Sequence, residues 1–258
     1  MDSQTLSGLT EFYHRELKKS PEALEALRLR KVGRSEIDLW QIGFSPWDAE
    51  LPFDRHSLLR CGVLEQGSDR LEGRIIFPER LPSGQVVGFC GWSPDYRAMK
   101  YVTTKTTDLY RRSEMLFGLH LLSHEERSKM MLCEGPFDAI AIWKEYGEGA
   151  KAVAVGGSKV SDHQAALIRR YIGLGDVFLA FDSDDAGRRG ASLFRRRHAH
   201  KFRRVVEVLF PSLYSDPADW LSADSDKRGI LRYREQKRGR STATNGRTTG
   251  GDFAPRLP

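Results

Sequence analysis

Apolar residues recur at two different periods along this chain, and the change between them divides it. From Leu9 to Leu29, Phe12, Leu17, Leu24 and Leu27 fall at helical spacing, and Ser20-Pro21 is a cap-and-start signal for a second helix. Arg74 to Pro78 and Gln85 to Phe89 are short strand-like runs separated by Leu81-Pro82-Ser83-Gly84, the pattern of a hairpin. Residues 1–125 therefore read as a mixed α+β subdomain. From 128 the rhythm becomes strand 130–133, helix 136–146, strand 151–155, helix 162–171, strand 177–181, helix 185–198 and strand 204–210. Repeated strand–helix–strand units imply an α/β domain over 126–222, with a central parallel sheet flanked by helices. After about Leu221 the apolar content falls and Arg, Ser, Thr, Asn and Gly take over. Residues 223–258 read as a basic, largely disordered tail with room for a short helix near Ile230.

Charge changes the picture less than its total implies. The net charge is +6, but residues 227–258 hold nine Lys or Arg against Glu235 and Asp252, which leaves the rest of the chain near −1. A nucleic-acid surface on the body must then be a local patch. No run approaches the roughly 20 apolar residues of a membrane helix, and the N-terminus lacks a secretory pattern, so a cytoplasmic setting without a membrane is expected. Cys61, Cys90 and Cys133 lie far apart with no Cys-x-x-Cys pair, which removes a zinc ribbon and a disulfide framework. His120 and His124 have helical metal-pair spacing, but Leu121 stands where a zinc protease has glutamate, and no zinc is expected.

The chemistry gathers at strand ends. Met130 to Cys133 runs into Glu134-Gly135-Pro136-Phe137-Asp138; Asp176 to Phe181 runs into Asp182-Ser183-Asp184-Asp185; Arg204 to Phe210 leads to Ser215-Asp216-Pro217-Ala218-Asp219. Each has a bland explanation, since Asp138, Asp184 and Asp185 sit where helix caps and first turns favour acids. An EF-hand beginning at Asp182 fails, because Ala186 and Leu193 occupy ligand positions. Glu134 is harder to dismiss, since a carboxylate ending a buried strand is costly unless paired. Taken in order along a parallel sheet, the three sets converge on the edge where open α/β folds bind ligands. Mutual repulsion there calls for cations, Mg²⁺ or Mn²⁺.

This arrangement, with Gly156-Gly157 after the second strand, resembles the Toprim domain over about residues 128–221. The segments before it, Gly73-Arg74-Ile75-Ile76-Phe77-Pro78, Gly84-Gln85-Val86-Val87-Gly88-Phe89 and Lys100-Tyr101-Val102-Thr103 through Leu109-Tyr110-Arg111-Arg112, are similar to the catalytic core of the bacterial and phage DNA primases. The resemblance extends back to about residue 10. It implies a metal-dependent nucleotidyltransferase that makes short RNA primers on single-stranded DNA from ribonucleoside triphosphates. Glu134, Asp182, Asp184 and Asp216 are then the implied metal ligands. Glu134, Asp182, Asp184 and Lys100 are the implied catalytic groups, with Asp138 and Asp219 as supporting acids. Arg30, Lys100, Thr103, Arg111 and Arg112 are implied to hold nucleotide or template. Trp92 departs from the pattern, standing where many relatives have arginine, and Thr103 replaces a frequent asparagine.

Arg188-Arg189, Arg195-Arg196-Arg197 and Arg203-Arg204 fit either a phosphate-facing strip or a solvated surface. No Gly-x-x-x-x-Gly-Lys-Ser/Thr motif is present, so a separate zinc-ribbon protein and a replicative helicase are the expected partners. The alternatives are a Toprim nuclease or other DNA-processing enzyme, and a non-catalytic adaptor of a replication complex.

Overall fold

The computed structural model describes residues 2–122, 129–147, 152–210 and 213–223, and the backbone of 232–235. The chain divides into two compact units, Met1–Leu121 and Leu122–Pro258.

The first unit opens with α1 (Asp2–Leu17), α2 (Pro21–Leu29) and α3 (Arg34–Trp40). Ser20 caps α2 by accepting the Ala23 N–H at 3.2 Å, with Pro21 at the first helical position, as the Ser-Pro step predicts. Then come β1 (Gly43–Ser45), α4 (Arg55–Arg60), the small β2 (Leu64–Glu65) and β3 (Ser68–Asp69), and the hairpin β4 (Arg74–Arg80) and β5 (Val86–Trp92), followed by β6 (Tyr101–Thr103). Together β1, β4, β5 and β6 form an antiparallel sheet in that order. The hairpin is its centre, which is why β5 is buried along its whole length. One face packs on α1 through Leu6, Leu9, Tyr13, Ile76 and Phe89. The other carries Phe77 against Phe117, which stacks on Trp40.

The second unit contains β7 (Lys129–Cys133), α5 (Pro136–Tyr146), β8 (Ala152–Ala154), α6 (Asp162–Ile172), β9 (Asp176–Leu179), α7 (Asp185–His198), β10 (Arg204–Leu209) and α8 (Pro217–Ser222). The strands β10, β9, β7 and β8 are parallel, in that order across the sheet. After β7 the chain steps to one side to make β8, then returns past it to make β9. The strand order therefore reverses between β7 and β9, the switch point at which ligands bind in open α/β sheets. The backbone of Arg232–Glu235 forms β11, antiparallel to Val206–Leu209, so a stretch read as tail contributes an edge strand. The short helix expected near Ile230 lies outside the described residues. Among those described, no helix is long and apolar enough to cross a membrane.

Candidate active site

The side chain of Glu134 stands directly after β7, and the chain after β9 closes on it: the Asp182 N–H donates to Glu134 Oε1 at 3.2 Å. The Glu134 carbonyl in turn accepts the N–H groups of Gly156 and Gly157, both at 3.0 Å, from the turn after β8. Two further clasps bring in the third acidic segment. The Ser183 N–H donates to the Ser215 carbonyl at 2.8 Å, and the Ala218 N–H donates to Asp138 Oδ1 at 3.2 Å. All three segments are thus tied along the C-terminal ends of parallel strands.

Glycine makes the approach of α7 possible. A Cβ at Gly187 would lie 2.1 Å from the Asp182 carbonyl oxygen, and one at Gly190 would lie 2.0 Å from that of Ser158. Any side chain at either place would push the helix off the loops that carry the acids.

The four implied ligands differ in how the fold holds them. Asp184 caps α7, taking the Gly187 N–H at 2.7 Å, and Asp216 caps α8, taking the Asp219 N–H at 2.7 Å. The capping explanation of Asp184 is therefore correct as far as it goes; a carboxylate using one oxygen for a cap retains the other for a ligand. Glu134 and Asp182 are half-buried, Asp184 is exposed, and Asp216 is half-buried. Asp219 is exposed and accepts the Ser215 hydroxyl.

Asp138 occupies a different place from the one its sequence context implies. The spacing put the cost of burial on Glu134, yet Asp138 is the buried acid, at 7% exposure. Its Oδ2 accepts the Gly135 N–H at 3.1 Å while Oδ1 accepts the Ala218 N–H, so it joins the start of α5 to the start of α8. Burial first, then the charges of Asp216 and Asp182, hold its carboxyl well above the usual range against those two donors. Cys133 is pushed upward likewise, by burial and then by Asp138, Asp182 and Glu134. These carboxylates stand close enough to repel one another.

Among the described residues, no three His, Cys, Asp or Glu side chains are drawn together tightly enough to hold an ion by themselves. The donor set nevertheless suits Mg²⁺ or Mn²⁺. Magnesium takes hard oxygen donors, commonly one or two carboxylates with water and phosphate completing its shell, and the like-charge pressure on Asp138 is what a divalent cation would relieve.

The arginine pairs separate on inspection. Arg203 and Arg204 both bind the buried Asp176, with Arg203 Nε at 2.8 Å from Oδ1 and Arg204 Nε at 3.0 Å from Oδ2. Asp176 begins β9, so this clasp lies at the N-terminal end of the strands, opposite the acidic edge, and is structural. Arg195 binds Glu207 at 2.6 Å and Arg197 binds Asp162 at 2.7 Å, while Arg188 engages Asp185 and the Ser183 carbonyl beside the acidic loop.

In the first unit, Lys100 is exposed, with its ammonium 5.8 Å from the Tyr101 ring centroid. The Arg30 guanidinium lies 5.3 Å from the centroid of Trp92, the residue that departs from the primase pattern. The Thr103 carbonyl accepts Arg70 Nε at 2.8 Å. Arg111 and Arg112 are exposed, and Arg112 begins a 3₁₀ turn that ends at Glu114. His120 lies in a 3₁₀ turn, half-buried against the edge of Trp40, and burial lowers it to about 4; His124 lies outside the described residues.

Comparison with known proteins agrees with this geometry. Residues 12–123 match the DNA primase catalytic core, N-terminal domain, and residues 131–221 match a Toprim-like domain. The DNA primase of Escherichia coli K12 is 31% identical over 205 residues, covering 73% of this chain. The chain spans 35% of that relative's length. The RNA polymerase domain of Mycobacterium tuberculosis primase is structurally similar, with a TM-score of 0.72 at 26% identity, over 84% of this chain and 77% of that one. A DnaG primase catalytic domain bound to single-stranded DNA gives 0.74 at 26% identity, over 88% of this chain and 75% of that one. An N-terminal core domain followed by a Toprim-like domain, with the acids of the latter tied along one sheet edge, makes this chain a member of the bacterial-type DNA primases by its catalytic core.

Proposed function

We propose that the chain synthesises short RNA primers on single-stranded DNA from ribonucleoside triphosphates. The observation that carries this is the clasp of the Asp182 loop onto Glu134 at the switch point of the sheet, which gathers three acidic segments on the ligand-binding edge. Glu134, Asp182, Asp184 and Asp216 would hold Mg²⁺ or Mn²⁺. When bound, such ions activate the attacking hydroxyl and neutralise charge on the departing pyrophosphate.

The protein's own groups have separate tasks in this reading. Glu134 accepts the proton of the primer 3′-hydroxyl, or remains a ligand while water takes it. Asp138 keeps α5 and α8 in register, so that Asp216 stays beside Asp182. Asp219 braces the α8 loop through Ser215. Lys100, Arg111 and Arg112 meet phosphate with charge-assisted hydrogen bonds, and Arg30 and Thr103 extend that contact. The proposed setting is the cytoplasm. Start-site choice and loading are assigned to a separate zinc-ribbon protein and a replicative helicase.

The test is to incubate the chain with single-stranded DNA, Mg²⁺ and labelled ribonucleotides, and to size the products. Short RNA that disappears in Asp182→Asn and Glu134→Gln supports the proposal. Shortened DNA would mark a nuclease, and full primer synthesis by both variants would overturn the site.

A further inference from the structure

One end of the antiparallel sheet carries large side chains that the fold leaves in solvent. Register puts them together: β1 finishes at Ser45 opposite Arg74, β4 begins at Arg74, β5 finishes at Trp92 opposite Ile75, and β6 begins at Tyr101 opposite Trp92. Trp47, two residues past β1, and the loop Ser93–Lys100 therefore leave the sheet at the same end. Arg74 joins the two, with its Nη1 donating to the Met99 carbonyl at 2.7 Å.

The exposure is large. Trp47 is 71% exposed, Tyr96 93% and Met99 71%. Trp47 is nonetheless seated, because Gly73 has no Cβ to obstruct it; one built there would lie 2.2 Å from Trp47 Cζ2. The ring thus rests on the backbone of Gly73. Cations alternate with the rings along the same end. Arg97 lies 5.9 Å from the Tyr96 centroid, Lys100 5.8 Å from that of Tyr101, and Arg30 5.3 Å from that of Trp92.

We propose that this end of the sheet is a stacking platform for single-stranded nucleic acid, with Tyr96 and Trp47 receiving bases and Lys100 and Arg30 receiving phosphates. The inference deepens the primer-synthesis reading and rests on it. Rings interleaved with cations suit a strand whose bases and phosphates alternate, and stacking tolerates any sequence because every base has a π-face. A protein partner would call for a contiguous apolar pocket, whereas here each apolar group is flanked by charge. The acids set the direction of the contact. Asp95 is held by Arg97 through two hydrogen bonds of 3.1 Å, and Glu72 accepts the Asp48 N–H beside Trp47. Carboxylates on the Trp47 side repel phosphate, so the backbone runs on the Lys100 side and bases turn toward Trp47.

The experiment is fluorescence anisotropy of a labelled oligo-dT on the 258-residue chain, in EDTA and without nucleotide. Tyr96→Ala is expected to weaken binding about 5- to 100-fold with an unchanged salt dependence, Tyr96→Phe to restore it, and Trp47→Ala to act in the same direction. Lys100→Ala is expected to lower the slope of log affinity against log salt by about 0.7. Because Tyr96 is on the surface, its variants should melt with the unsubstituted chain. Binding equal to the unsubstituted chain in both Tyr96→Ala and Trp47→Ala overturns the platform alone, leaving primer synthesis standing. No DNA binding by the unsubstituted chain overturns both.

Discussion

The acidic edge of the parallel sheet and the interior of the antiparallel sheet each bury a carboxylate, and the two are treated in opposite ways. Asp138 is met by two backbone N–H groups and stands among other acids whose charge keeps it protonated. Glu79, on β4 opposite Gly88, is equally buried, but its Oε2 has no hydrogen-bond partner. Burial raises it to about 7, with only the charge of Arg112 pulling it down. A buried acid is thus no sign of function by itself. What distinguishes Asp138 is that its partners belong to the loops carrying the other acids, so it holds a site together, whereas Glu79 is a local liability beside a cation implied to bind phosphate.

The largest effect should come from the edge. Asp182→Asn and Glu134→Gln are each expected to lower primer synthesis by about 10³-fold or more, since they remove charge where the reaction develops it. The fold should survive, because an amide preserves the oxygen that accepts the Asp182 N–H at Glu134. A thermal melt beside the activity assay checks this; comparable activity losses accompanied by collapse of the melt would make the clasp structural.

Breaking the strut comes next. Asp138→Ala leaves the Gly135 and Ala218 N–H groups unsatisfied in a buried setting, and is expected to destabilise the chain by about 3 kcal/mol in urea unfolding. Asp138→Asn keeps one acceptor oxygen and relieves repulsion, so it should lose less. If both cost the same, the repulsion inferred from Asp216 and Asp182 is not real.

Much of this second unit was readable from the residues. The helices 136–146 and 185–198 appear at the expected limits because Pro136 at a first turn and Asp184 at a cap are local signals that carry their own hydrogen bonds. Sheet ends were less legible: β9 stops at Leu179, two residues before the apolar run does, because the chain turns there toward Glu134. Burial of Asp138 in place of Glu134 depends on α8, eighty residues away, and no local pattern reports it. The Asp176 clasp with Arg203 and Arg204 escaped for the same reason, although a lone acid opening an apolar strand was a usable signal. Gly187-x-x-Gly190 was a second such signal, marking a close approach before any neighbour was known.

The Glu79 side of the comparison predicts a gain. Its folded pKa lies above the ordinary 4.5, so the protonated form favours the fold; stability is full below about 4.5 and falls as pH rises through about 7. Glu79→Gln should abolish that fall. At pH 8 it is expected to stabilise the chain by about 2–3 kcal/mol, and at pH 4 to leave it unchanged, in urea unfolding at the two pH values. An equal effect at both would mean that Glu79 is ionised throughout.

The smallest effect separates two neighbours that sequence treats alike. Arg111 and Arg112 are both implied to meet phosphate, but only Arg112 also acts on Glu79. Removing that cation disfavours ionised Glu79, so Arg112→Ala should move the midpoint of the stability loss to higher pH, by about half a unit given that the guanidinium is exposed to solvent. Arg111→Ala, whose nearest acid is Glu114 at 4.0 Å, should leave the midpoint where it is. Melting temperature followed from pH 5 to pH 9 reads both. Equal shifts would mean that Glu79 senses the general positive charge of this turn, and the distinction between a phosphate contact and a contact that also neutralises the interior would be lost.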